Sequence, residues 1–182
     1  MDALHHFILA SILLVATVTD LRSRRIPNLL TYPAMLLALA LHTQAQGLPG
    51  LFFALTGLAL GLGLMLLPFL LGVMGAGDVK LMAAAGAFLG ATGVLKAFLF
   101  TSLAGGAYAL VVLALRPAVL ARMLCAMRDT FGLFLATRQF VYSPADTGRL
   151  PKLAYGVAIA IGTIASVLHS GGPAAFIPSW AI

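Results

Sequence analysis

The sequence predicts an all-α polytopic membrane protein, with about six transmembrane helices and an amphipathic helix on the inner leaflet. Three observations carry that reading. Hydrophobic residues fill 62% of the 182 positions and the mean hydropathy is +1.06, far above the roughly 45–50% apolar content of soluble domains. The apolar blocks are broken only at short intervals, so no polar stretch is long enough for a soluble domain, and 1–182 reads as a single integral membrane domain. The basic residues between the blocks are distributed in a strongly one-sided way.

The spans lie near residues 4–20, 29–46, 51–73, 79–93, 95–115 and 151–169. The fourth is short against the ~20 residues a crossing needs, and so reads as tilted, partly sunk in protein or differently bounded. MDALHHF at the N-terminus carries no basic residue, whereas RSRR at 22–25 follows the first span. That order predicts an uncleaved first span with its N-terminus outside. Arg22, Arg24, Arg25, Lys80, Arg116, Arg122, Arg128, Arg138, Arg149 and Lys152 then face inward, and Lys96 alone faces outward. Six crossings place both termini outside.

Gly57 and Gly61 stand four apart in span three, as do Gly86 and Gly90 near span four. That interval lets helix backbones approach closely, so these glycines read as packing positions. Pro68 is expected to bend span three. In 117–140, Leu120, Met123, Leu124, Met127, Phe131, Phe134 and Leu135 recur at helical spacing among Arg122, Arg128 and Asp129. The pattern fits a helix lying on the inner leaflet, with its arginines against anionic lipid.

Several function classes drop out. A lone cysteine, Cys125, rules out an intrachain disulfide, and no Cys or His pair has zinc-ligand spacing, so no metal and no cofactor are expected. His5, His6, His42 and His169 fall near span ends and read as interfacial or lightly solvated. The net charge of +6 could suggest nucleic acid, but its one-sided placement between spans is explained by topology.

Only five residues are acidic. Span one runs inward and ends at Asp20; span three runs inward and ends just before Asp78. Both carboxylates thus reach the cytoplasmic boundary of the membrane, where an ionisable group is a functional candidate by default. Capping a helix or pairing with a cation is the plain alternative. It is stronger for Asp20, which Arg22, Arg24 and Arg25 follow, than for Asp78, where Gly75 and Gly77 open the backbone to an extended segment from elsewhere. Two acids on one site suit peptide hydrolysis. One carboxylate takes a proton from water while the other, protonated, polarises the scissile carbonyl, and like charges at close range let the pair share one proton.

TDLRSRRIPN at 19–28, GAGDVKLMAAAGAFLG at 75–90 and YGVAIAIGT at 155–163, in that order at the ends of spans one, three and six, resemble the type IV prepilin peptidases. These are GxGD-type intramembrane aspartyl proteases, and the short length resembles the branch serving Flp-type pili. The resemblance implies that Asp20 and Asp78 are the catalytic pair, that Gly75 and Gly77 give a substrate strand access to the backbone, and that Lys80 lies near the site. It places Pro27 in the first turn of span two, with Asn28 as a capping or backbone-orienting group. The implied partner is a prepilin, cleaved after a glycine between its cytoplasmic basic leader and its membrane helix, at the cytoplasmic face of the bacterial inner membrane. Larger members carry a cysteine-bearing insertion after the first span and methylate the new N-terminus. This chain has no such insertion, so leader cleavage without methylation is expected.

Two rival readings use the same acids: a transporter or proton relay, and a non-catalytic assembly subunit. Loss of cleavage on single replacement of either acid separates them.

Overall fold

The computed structural model describes residues 3–70, 74–115, 121, 125, 128 and 155–171. They form five helices: α1 (Ala3–Ser23), α2 (Asn28–Gln46), α3 (Leu48–Leu70), α4 (Ala76–Ala114) and α5 (Tyr155–Gly171). Two compact units emerge, Met1–Gly105 with Ala154–Ile182, and Gly106–Leu153. Everything that follows concerns the first. Apart from residues 121, 125 and 128, which are helical, the amphipathic segment expected over 117–140 lies outside the described residues.

The polarity is that of a protein in lipid. Leu36, Leu67 and Leu103 are exposed while Asp20, Thr31, His42 and Asp78 are buried. Among the described residues α1, α3 and α4 are long and apolar enough to cross a membrane. α2, whose second half carries His42, Thr43, Gln44 and Gln46, and the 17-residue α5 fall short of that measure. The described helices therefore make a helical membrane protein, but not the six separate spans expected, and spans four and five form one helical element.

That element is broken at Gly90, whose φ of 70° and ψ of −178° are not helical. A Cβ on Gly86 would lie 3.2 Å from the Val94 side chain, whereas eight residues of continuous helix would separate those levels by about 12 Å. The chain thus folds back sharply, giving an arm over 76–89 and a second that begins at residue 91. Only glycine suits position 90, because its φ is positive and the Phe53 ring occupies the place of a Cβ. Hydropathy locates the boundary near residue 94; backbone conformation moves it to 90.

The first arm is buried on every side, from Leu81 to Gly90 without interruption. Its shortness follows from being sunk in protein. α3 runs antiparallel against it, with Gly57 opposite Gly86 and Gly90, and Gly61 opposite Met82 and Ala83. A Cβ on Gly57 would overlap the Gly86 carbonyl, so the four-residue glycine spacing serves backbone contact, as expected.

At the Gly90 end the break takes the next N–H groups out of line with the arm's last carbonyls. His42 compensates: its Nε2 lies 3.1 Å from the Phe88 carbonyl oxygen, and its ring stacks on His5 and tilts against Phe53, both at 5.0 Å between centroids. His5 and His42 are therefore buried, not interfacial as expected. A helix end needing a donor drew His42 inward. His169 is exposed, as expected, with its ring edge against Phe100.

Candidate active site

The opposite end of the arm carries the acids. Asp20 stands in the last turn of α1, and the Arg24 N–H closes that helix on the Asp20 carbonyl at 2.8 Å, with Arg24 in the left-handed region at φ 51°. A non-helical stretch over 25–27, extended at Pro27, leads into α2. Pro27 is the residue before the first turn, with φ −68° and ψ 140°, one place earlier than expected.

Asp20 is 6% exposed and Asp78 9%. Asp20 Oδ2 accepts the Gly156 N–H at 2.9 Å, across 136 residues of sequence. Asp78 Oδ2 accepts the Gly75 N–H at 3.0 Å, while the Asp78 N–H donates to the Gly75 carbonyl at 3.1 Å. Asp78 thus does cap its own helix, in the manner of the carboxylate half of a capping box. Asp20 is not held by the arginines that follow it. Arg22, Arg24 and Arg25 are exposed, and none makes an ion pair with Asp20 among the described residues. Each carboxylate sits at the positive end of a helix, Asp20 at α5 and Asp78 at α4. Each also leaves Oδ1 without a hydrogen-bond partner among the described residues.

The two carboxyls lie close enough for the charge on Asp20 to act on Asp78, and that on Asp78 to act on Tyr155. Two elements that are remote in sequence therefore bring two buried acids into one neighbourhood. Like charges in one neighbourhood oppose the simultaneous ionisation of both acids. Among the described residues no three His, Cys or Asp side chains gather where a metal ion could sit.

The glycines divide. A Cβ on Gly77 would stand 3.1 Å from Ile26 Cβ and 3.4 Å from its backbone N and O, so the extended segment that the glycines admit is, in this state, the chain's own residue 26. Gly75 is exposed, and among the described residues a Cβ there would meet Asp78 Oδ2 at 3.5 Å and the Gly77 N at 4.0 Å. Lys80 points away from the acids: Nζ donates to Asn28 Oδ1 at 2.8 Å and lies 4.8 Å from the Tyr32 ring centre. Asn28 is therefore engaged by Lys80, and α2 begins without a side-chain cap.

Sequence reasoning attached no role to Tyr155 or Gly156, although YGVAIAIGT pointed to their helix. Glycine and tyrosine there carry no acid–base pattern, and only the fold brings Gly156 to Asp20 and Tyr155 within reach of the Asp78 charge.

No curated protein and no solved structure matches the chain. A model of the type IV leader peptidase family matches residues 7–110, more than half of the 182, and takes in both acids, the Ile26-Pro27-Asn28 link and the Gly75–Asp78 turn. Because that match covers more than half of the sequence and takes in both buried acids, the chain belongs to the type IV leader peptidase family.

Proposed function

We propose that the protein is a membrane aspartyl endopeptidase that removes the basic leader of type IV prepilins, Flp-type pilins foremost, after a glycine at the cytoplasmic membrane boundary. The observation that supports this most directly is that Asp20 and Asp78, both buried, lie near enough for the charge of one to act on the other, and each has an oxygen without a hydrogen-bond partner among the described residues. In this reading one carboxylate takes a proton from the attacking water, and the other, protonated, polarises the scissile carbonyl and supports the oxyanion. Gly75, with its open flank, offers backbone to an extended substrate. Lys80 acts near the substrate only after leaving Asn28.

The same reading has six crossings, with the fold-back at Gly90 separating the fourth from the fifth, both termini outside and the acids at the cytoplasmic face of the bacterial inner membrane. Lys96 donates to Ser170 at 3.2 Å. Ser170 lies fourteen residues beyond Gly156 on α5, about 21 Å along the axis, so the single outward lysine is at the end away from the acids. Product is released without N-methylation, since no cysteine-bearing insertion follows α1.

Asp20→Asn and Asp78→Asn test the reading. An amide matches the carboxylate in shape but cannot exchange the water's proton, so each variant should fold and lose cleavage by about 10²–10⁴-fold. The double variant should be little worse than either single one. Asp129→Asn and Asp146→Asn should cleave normally, and the intact mass of the product should show loss of the leader alone. Wild-type cleavage by Asp78→Asn would reopen the transporter and assembly-subunit readings.

A further inference from the structure

We propose that Gly156 is a positioning residue for Asp20, presenting the first turn of α5 to the carboxylate as a backbone clamp. Three observations converge. Gly156 is the second residue of α5, where a helix N–H has no carbonyl one turn back to bind, and this N–H instead meets Asp20 Oδ2 at 2.9 Å. A Cβ at 156 would stand 2.8 Å from the same oxygen, 3.2 Å from Asp20 Cβ and 3.3 Å from Cγ. Real Cβ atoms do not approach an oxygen so closely, so any side chain at 156 forces the carboxyl to turn or α5 to withdraw. Finally, no arginine or other cation holds Asp20 among the described residues, and its neighbour Thr19 bonds its own helix, at the Ala16 and Val15 carbonyls. Among the described residues, the Gly156 amide is the group that fixes the orientation of the Asp20 carboxyl.

The arrangement accounts for a glycine at the start of an apolar helix, where it costs helix stability. It also couples α5, which lies beyond the stretch matched by the family model, to the acid on α1. Residue 156 touches no reacting atom in this scheme; it acts through Asp20.

The test has a spectroscopic and a kinetic arm, both on the full chain in detergent micelles. Tyr155–Gly156 is the only Tyr-Gly pair in the sequence, so carbonyl-¹³C tyrosine with ¹⁵N glycine isolates one amide resonance. That proton should move upfield and exchange faster in Asp20→Ala, and stay in place in Asp129→Asn. An amide indifferent to Asp20→Ala overturns the inference. In the kinetic arm, which rests on the peptidase reading, Gly156→Ala should lower kcat about 10²-fold with KM retained. Gly162→Ala, whose Cβ would overlap Thr101 on the second arm of α4, should cost stability but leave kcat per folded molecule unchanged. Wild-type kcat in folded Gly156→Ala also overturns the proposal. If wild-type protein cleaves no prepilin, the peptidase reading fails and the resonance alone decides the clamp; it decides likewise if Gly156→Ala does not fold.

Discussion

Lys80 Nζ donates to Asn28 Oδ1 at 2.8 Å, so the second turn of the acid-bearing helix is tied to the first turn of α2. The same ammonium lies over Tyr32. Asn28→Ala should cost about 1 kcal/mol and Lys80→Met somewhat more, since it also takes the ammonium from Tyr32, while the double variant should be no worse than Lys80→Met alone. Unfolding by SDS titration measures this. Fully additive losses would show that the two residues act separately.

His42→Leu removes the donor that meets the Phe88 carbonyl at the broken end of the first arm. A buried carbonyl left unpaired costs about 1–3 kcal/mol, and the same titration should register that loss. His42→Gln keeps an N–H and should recover part of it. Equal stability of the leucine variant would mean that the carbonyl finds another donor.

Gly90→Ala meets two obstacles, a positive φ and the Phe53 ring. The first alone costs about 1–3 kcal/mol, and overlap with the ring adds to it. In a Phe53→Ala background the overlap is gone and only the backbone strain remains, so Gly90→Ala should cost less there. An identical cost in both backgrounds would remove Phe53 from the account.

Orientation can be read by labelling single cysteines in a Cys125→Ser background. Gln46 and Ser23 close opposite ends of α2 and α1 and are exposed, as is Ser170. Cysteines at 46 and 170 should react with an impermeant reagent outside intact cells, and cysteines at 23 and 143 only after permeabilisation. Outside labelling at 23 would invert the topology and move the acids with it.

Much of the site was legible because charge is scarce in an oily chain. Asp20 and Asp78 stand out by type alone, and the basic residues beside them mark one end of the helices. α1, α2 and α3 also lie close to the spans read from hydropathy. The fold-back at Gly90 was not legible, since the composition of 79–93 and 95–115 is apolar on both sides of the break and φ leaves no trace in hydropathy. His42 misled for a related reason. A histidine near a span end is ordinarily solvated, and only the broken helix opposite supplies the carbonyl that draws it inward. Gly77 read as a place where an extended substrate segment could approach; residue 26 packs there, and nothing in sequence identifies it as the neighbour.

Protein surrounds the first arm from Leu81 onward, so acyl chains have no direct hold on that stretch. Lipid thickness acts on helices with oily outer faces, such as α1 and α3, which tilt or deform the bilayer to match. The arm answers instead to fixed neighbours: Ile26 at Gly77, Gly57 and Gly61 along its length, and His42 at its far end. At fourteen residues, about 21 Å, it serves as an internal ruler, and the turn that presents Asp78 is located by protein contacts and not by acyl-chain length.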